Sequence, residues 1–370
     1  MEIGFIAIDT NVLERAGYNF DSGILNQLRQ FEKSKVRLVF PEIVIEESRS
    51  HILKDFEEHL EKCLSSLEKL KRKKNLSESK FSEIKKLLGS HEDAKNIVAA
   101  RLEKFKKETN AELIPSSLAN LDQIVSDYFN EAPPFEKKSE KKNEFPDSIA
   151  LHSLEKWATQ HGFKGFIISY DQGWEKFAET SDYLIYQQDL PKVLQEISQI
   201  NSNIVQRERI KEFISLVFSE ETEPDYGFIR SGLEEQIDDL DPNFHLATGF
   251  HHYSIDYFEI ELLGFEPQII GDELETYIVN ESENLFTINL PIWLSISVVC
   301  DVELFFWDSI DKDEVSAGSS EISKNEEIEA SILIEIEVDD RQIFRISNIE
   351  LSTSSVEIDL GELDISDHLD

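Results

Sequence analysis

The feature that most constrains this chain is a change in its hydrophobic periodicity near Glu223. Before that point, short apolar runs at 3–8, 36–40 and 165–169 are separated by segments with helix-like patterns. After it, apolar residues recur at every second position, as in 332–338. Strands separated by helices favour right-handed crossovers and a mostly parallel sheet. Repeated alternation between polar turns favours an antiparallel sandwich or barrel.

These patterns predict two domains of different class in a chain of 370 residues, which is long enough for two cores. Residues 1–200 are predicted to form an α/β domain, a parallel sheet flanked by helices, with a long helical insertion at about 55–130. A connecting helix is predicted at 201–222, and 223–370 are predicted to form an acidic, β-rich accessory domain. The lysine-rich stretch 135–143 is predicted to be a loop.

Charge is divided unevenly between the two halves. Residues 1–200 contain 29 Lys and Arg against 34 Asp and Glu, a net charge of −5. Residues 201–370 contain 8 against 41, a net charge of −33. Only the first half can therefore meet a polyanion comfortably, and we expect the acidic second half to bind a protein partner or regulator.

The chain has no predicted membrane segment or disulfide framework. Its most apolar stretch, 288–307, is interrupted by charged residues and a proline, and its N-terminus lacks the basic region of a signal peptide. Cys63 and Cys300 match no metal-binding spacing, so a reducing compartment is the simpler interpretation. We predict a cytoplasmic protein. The sequence leaves its oligomeric state open, including a homo-oligomer.

Acidic side chains recur where a parallel sheet would bring them to one edge. Asp9 and Asp171 directly follow apolar runs, and ligands bind beyond the carboxyl ends of such strands. Asp147 stands in the first turn of a predicted helix, and Glu46 and Glu47 follow the second strand. Mg²⁺ and Mn²⁺ prefer carboxylate oxygens, and paired ions can activate water for displacement at phosphorus. The pattern therefore indicates a divalent-metal site.

Four short motifs carry a family resemblance. They are FIAIDTNVL at 5–13, PEIVIEE at 41–47, PDSIA at 146–150 and IISYD at 167–171. In this order they resemble the motifs of PIN-domain nucleases, and the resemblance covers about 1–190.

The resemblance implies a parallel sheet with flanking helices and a metal-dependent nuclease, most often acting on RNA. It implies that the catalytic, Mg²⁺- or Mn²⁺-binding residues are Asp9, Glu47, Asp147 and Asp171. Thr10, Asn11 and Ser169 become candidate donors that orient these carboxylates.

Two features need separate interpretation. About 100 residues separate the second and third motifs, more than a compact core needs, which predicts the helical insertion. Glu46 and Glu47 project about 100° apart on a helix, and the spacing from Pro41 favours Glu47.

A basic run in the predicted insertion is a candidate nucleic-acid contact. It comprises Lys69, Lys71, Arg72, Lys73 and Lys74. Such residues gain affinity for phosphates by releasing counterions. Interspersed acids such as Glu68 and Glu78 equally favour a solvated helix face.

The functional hypothesis is a metal-dependent hydrolase of phosphodiester bonds, with an endoribonuclease favoured. A role as a bacterial toxin or in anti-phage defence is an analogy of architecture. The alternatives are a non-catalytic PIN-fold scaffold and a nuclease for single-stranded or branched DNA. The presence of all four acids favours the enzyme. The sequence leaves the choice between RNA and DNA as the substrate open, because attack by water does not require the 2′-hydroxyl.

Overall fold

The computed structural model describes residues 3–89, 91–135, 144–199, 204–220, 225–271, 273–282, 284–308, 313–339 and 343–363. The chain forms two compact units. The first comprises Met1–Glu14, Tyr18–Asp21 and Leu28–Val193, and the second comprises Arg15–Gly17, Ser22–Gln27 and Leu194–Asp370. Within the described ranges, no helix has both the length and the apolar character that a membrane span requires.

A five-stranded parallel sheet forms the centre of the first unit. Its strands are β1 (Ile3–Ile8), β2 (Arg37–Pro41), β3 (Glu112–Ile114), β4 (Lys164–Ile168) and β5 (Leu184–Gln187). They lie in the order β3-β2-β1-β4-β5, and every neighbouring pair is parallel. The central strand β1 is the most deeply buried, with Phe5 to Ile8 fully inaccessible, because sheet and helices cover both of its faces. The predicted fold class of this half is confirmed.

Helices lie between these strands in the sequence, and one more follows β5; of them, α2 belongs to the second unit. They are α1 (Thr10–Arg15), α2 (Gly23–Asn26), α3 (Glu42–Arg72), α4 (Glu78–Leu87), α5 (His91–Thr109), α6 (Leu121–Asn130), α7 (Phe145–His161), α8 (Gln172–Thr180) and α9 (Leu190–Gln199). Short 3₁₀ turns occupy Gln27–Lys33 and Ser116–Leu118. Helix α3 begins directly after β2, and Pro41 is both the last residue of the strand and the N-cap of the helix.

One strand was missing from the prediction. The region 55–130 was predicted to be helical, but β3 pairs with β2 through Val39 and Glu112 and completes the edge of the sheet. A strand of three residues after a long charged helix has too short an apolar pattern to be detected in the sequence. Of the predicted loop 135–143, residues 136–143 lie outside the described residues.

The second unit contains helices α10 (Ile204–Glu220) and α11 (Asp225–Gln236) and a set of strands. These are β6 (Asp241–Thr248), β7 (His252–Pro267), β8 (Ile269–Ile270), β9 (Glu273–Leu274), β10 (Tyr277–Glu281), β11 (Leu285–Asp308), β12 (Asp313–Val338), β13 (Phe344–Leu351) and β14 (Ser355–Leu363). The main sheet has the order β10-β11-β12-β13, and β7 also pairs with β11. Its pairs are antiparallel, as predicted.

Two details of this unit differ from the sequence expectation. The region after residue 223 begins with helix α11, whose buried Ile229 and Leu233 belong to the same apolar core as the strands. Strands β6 and β14 pair in parallel, as Phe244 with Ile358. Neither the short helix nor a pairing between strands so far apart in sequence follows from alternation alone.

Candidate active site

Asp9 stands at the carboxyl end of the central strand. Its backbone N–H still donates to the carbonyl of Ile168 on β4 at 2.9 Å, so the sheet fixes its position. The residue is 5% exposed. Its Oδ1 accepts from the N–H of Thr10 at 2.6 Å, and its Oδ2 accepts from the hydroxyl of Ser169 at 2.6 Å. Both carboxylate oxygens are therefore held in place by groups on two neighbouring strand ends.

Ser169 connects three of the predicted site residues. Its fully buried hydroxyl donates to Asp9 and accepts from the side-chain amide of Asn11 at 3.1 Å and from the N–H of Asp171 at 2.9 Å. Asn11 also accepts from the N–H of Tyr170 at 3.3 Å. This network fixes the loop after β4 against the start of α1.

Asp171 and Asp147 are each anchored at a helix start. Asp171 caps α8, with its Oδ1 accepting from the N–H of Gly173 at 2.5 Å, so the cap that a strand-end aspartate can form is present here. Asp147 lies in the first turn of α7, and its Oδ1 accepts from the indole N–H of Trp174 at 2.8 Å. Trp174 is fully buried. It also orients Asp147, which its apolar surroundings did not indicate.

The two neighbouring glutamates of α3 have different surroundings. Glu47 Oε2 accepts from the hydroxyl of Thr10 at 3.0 Å, which ties it to the residue after Asp9. Glu46 is exposed and accepts two hydrogen bonds from Arg49 at 2.8 Å. The structure therefore brings Glu47 to the strand-end cluster and turns Glu46 away from it.

The electrostatics of the cluster are those of crowded, partly desolvated carboxylates. The pKa of Asp9 is raised to about 7, mainly by burial; the charges of Asp147 and Asp171 act in the same direction, and the hydrogen bonds from Ser169 and Thr10 act against it. Burial likewise raises the pKa of Asp147 to about 6, with added contributions from Asp171 and Glu47. Asp147, Asp171 and Glu47 thus each raise the pKa of another member of the set, and neighbouring like charges favour protonation or a bound cation.

The predicted basic run lies at the other end of α3. Lys71 pairs with Glu78 at 2.9 Å and lies over the ring of Phe81, and Arg72 is 3.6 Å from Glu68. The remaining three members, Lys69, Lys73 and Lys74, are exposed. The run begins 22 residues after Glu47, so the structure does not bring it into the hydrogen-bond network of the acids.

The donor set has the chemistry of a divalent-metal site, although its side chains are not arranged around one point. In the described part of the chain, no three His, Cys, Asp or Glu side chains are grouped closely enough to hold an ion as they stand. Hard oxygen donors are nevertheless what Mg²⁺ and Mn²⁺ bind, and a cation would stabilise the ionised forms of Asp9 and Asp147 that burial and the neighbouring carboxylates disfavour. On these two grounds the residues fit such an ion.

The first unit thus combines a parallel sheet flanked by helices with acidic side chains at the ends of its strands. Residues 6–174 match the family model described as PIN domain, and the N-terminal half of the chain is therefore a PIN domain. The match contains the last three motifs in full and all of the first except Phe5. The comparison with curated proteins gave no match.

Proposed function

We propose that the PIN domain is a nuclease that hydrolyses phosphodiester bonds with Mg²⁺ or Mn²⁺, and that RNA is its preferred substrate. The observation that carries the proposal is the placement of acidic side chains at the strand ends of the sheet, where Ser169 joins Asp9 to Asp171, Thr10 joins Asp9 to Glu47, and Trp174 holds Asp147. Burial raises the pKa of Asp9 to about 7 and that of Asp147 to about 6, and a bound cation would favour the ionised form of both.

The metal-holding residues in this proposal are Asp9, Glu47, Asp147 and Asp171. When bound by these residues, Mg²⁺ or Mn²⁺ would supply a Lewis acid able to lower the pKa of water and to offset negative charge on phosphate oxygens. Ser169 and the N–H of Thr10 keep the Asp9 carboxylate in one orientation, and the Thr10 hydroxyl does the same for Glu47. Trp174 performs this task for Asp147. Such donors fix the direction of ligand lone pairs before the ligand binds.

The preference for RNA is inferred from the family, in which metal-dependent cleavage of RNA is the common activity. The basic run Lys69–Lys74 is proposed as a secondary contact for the substrate backbone, because three of its side chains are exposed. The acidic second half, with its net charge of −33, is proposed to bind a protein partner and not the substrate.

The deciding experiment incubates the purified full-length protein with end-labelled single-stranded RNA, single-stranded DNA and duplex DNA. Each substrate is tested with Mg²⁺, Mn²⁺ or EDTA, and Asp9→Asn is the matched control for a contaminating nuclease. We expect metal-dependent cleavage, fastest on RNA and absent in the variant. Binding of RNA without cleavage under any metal would instead support the scaffold alternative, and faster cleavage of single-stranded DNA would reassign the substrate.

A further inference from the structure

A tyrosine and a histidine outside the four-acid set lie beside it. The hydroxyl of Tyr18 is 3.1 Å from Nδ1 of His51, and the same nitrogen is 3.8 Å from a carboxylate oxygen of Glu14. His51 follows Glu47 by four residues on α3, so the two side chains are neighbours on one face, about 6 Å apart along the helix axis. The sequence motifs gave no role to any of these three side chains.

The backbone holds Tyr18 in an uncommon conformation. Its φ of 51° lies in the left-handed region, which bulky residues rarely adopt. Its N–H donates to the carbonyl of Leu13 at 2.9 Å, and its carbonyl accepts from Arg101 at 2.6 Å. Strain of this kind persists where the surrounding structure over-determines a residue, and such residues cluster at functional sites. The phenol is 8% exposed, so its position beside α3 is fixed.

Burial, followed by the carboxylates of Glu14, Glu47 and Asp9, raises the pKa of Tyr18 well above its ordinary value, so the phenol keeps its proton. The phenol can donate to Nδ1 of His51 when the ring is in the tautomer that carries its proton on Nε2. An imidazole that accepts at Nδ1 carries its own proton at Nε2.

That second nitrogen is available to a ligand. The side chain of His51 is 45% exposed, and within the described part of the chain no group forms a hydrogen bond with its Nε2. The ring thus presents an oriented N–H donor at the rim of a cluster of carboxylates. Carboxylates repel an approaching phosphodiester, so a donor at this rim offsets that repulsion for one phosphate oxygen.

We propose that His51 binds a backbone phosphate of the nucleic-acid substrate through its Nε2–H, with Tyr18 as the residue that positions the ring. The inference rests on the proposed nuclease function, and it adds the contact that holds the substrate strand next to Glu47. His51 takes no part in breaking the bond. Its removal should therefore weaken binding and leave the rate of the bound complex unchanged.

The test measures the affinity of the full-length protein for a fluorescein-labelled single-stranded RNA in EDTA, and its cleavage kinetics with Mn²⁺. His51→Gln should raise Kd and KM about 10-fold, since a hydrogen bond to a charged acceptor is lost, while kcat stays unchanged. His51→Arg restores a donor and should stay within about 3-fold of the wild-type Kd. Tyr18→Phe keeps the buried ring and should raise Kd by a smaller factor than His51→Gln.

His59→Gln is the matched control. His59 is an exposed histidine on the same helix, eight residues beyond His51, and its ring lies beside Asp55. The control should bind and cleave as the wild type does. Equal Kd and KM in His51→Gln and wild type would overturn the phosphate contact, as would failure of His51→Arg to recover affinity.

The inference and the proposed function can fail separately. If the wild type cleaves no substrate with either metal, the nuclease proposal fails, but a 10-fold loss of RNA affinity in His51→Gln still supports the contact. If the wild type cleaves RNA and His51→Gln has an unchanged KM, the nuclease proposal stands and the contact is overturned. If the wild type neither binds nor cleaves, both are overturned.

Discussion

The two halves of the chain use carboxylates in opposite ways. In the PIN domain, Asp9 is buried at the end of a strand and Asp147 is partly buried at the start of a helix. Asp9 accepts hydrogen bonds from Thr10 and Ser169, and Asp147 accepts one from Trp174. In the C-terminal sheet, Glu327, Glu329 and Glu337 on β12 are exposed and alternate with buried aliphatic residues. The PIN domain lies in the half with the smaller net charge, yet it contains the two carboxyls whose pKa values are raised by burial and by neighbouring carboxylates.

This difference shows that the number of acids in a region does not locate a functional site. A carboxylate on the outer face of an antiparallel strand keeps its hydration, so it adds solubility at little energetic cost. A carboxylate at the end of a central parallel strand loses hydration and meets the acids of neighbouring strands. The topology of the sheet, and not the composition, brings these acids to one edge.

The prediction with the largest expected effect tests this difference between the two kinds of carboxylate directly. Asp9→Asn should lower kcat/KM for RNA on the order of 100- to 1000-fold, because it removes a preorganised charge from the reacting centre. Glu337→Gln removes one carboxylate from the exposed face of β12 and should leave kcat/KM unchanged. Cleavage rates measured with Mg²⁺ and Mn²⁺ decide the matter. Equal activity of wild type and Asp9→Asn would remove the four-acid site from consideration.

The second prediction concerns stability against pH. The pKa of Asp9 rises from 3.8 to about 7 on folding, so its ionisation disfavours the folded state. The contribution is absent at pH values below 3.8, where both states are protonated, and stability falls as pH rises towards 7. Between pH 5 and pH 8 the wild type should lose about 3 kcal/mol relative to Asp9→Asn, at about 1.4 kcal/mol per unit.

Urea denaturation in EDTA measures this difference in the free energy of unfolding. A second measurement with Mg²⁺ tests whether the acids bind an ion. At pH 8, an ion bound to the acids should raise the free energy of unfolding of the wild type and leave Asp9→Asn unchanged. Glu337→Gln is again the control and should follow the wild-type pH dependence. Parallel pH profiles of wild type and Asp9→Asn would show that the Asp9 carboxylate is ionised without cost.

The third prediction compares two adjacent residues. Glu47→Gln should reduce kcat/KM about 10- to 100-fold, because the Thr10 hydroxyl then orients an amide that cannot supply the charge. Glu46→Gln disrupts only an exposed pair with Arg49 on the same helix, worth about 0.3–0.5 kcal/mol, and should leave cleavage unchanged. If the ranking is reversed, Glu46 is the functional residue.

Much of the site could be predicted because it follows from one rule. Asp9 and Asp171 end adjacent parallel strands, so their proximity was implied once the strand pattern was recognised. The structure has both hydrogen-bonded to Ser169. The prediction that Glu47 and not Glu46 approaches Asp9 needed only helix geometry and the position of Pro41.

What could not be predicted depends on single backbone angles or on pairings between distant segments. Tyr18, which contacts His51, has a positive φ, and the presence of a tyrosine in the sequence does not predict that backbone conformation. The hydrogen bond from Trp174 to Asp147 joins two helices whose packing the sequence pattern does not specify. Strand β3 was hidden because three residues are too few to establish a period.

The prediction with the smallest expected effect tests whether the basic run binds nucleic acid. Such binding would set the PIN domain apart from the acidic second half of the chain. Replacing Lys69, Lys73 and Lys74 with alanine removes the members that have no acidic partner in the described part of the chain. If they contact the backbone, RNA affinity should fall a few-fold, and the slope of log K against log salt should decrease by about 0.7 per lost contact. Alanine at Lys80, Lys85 and Lys86 on α4 removes the same charge nearby and is the control. An equal loss in both triple variants would mean that net charge alone matters, and the run would then be a solvated helix face.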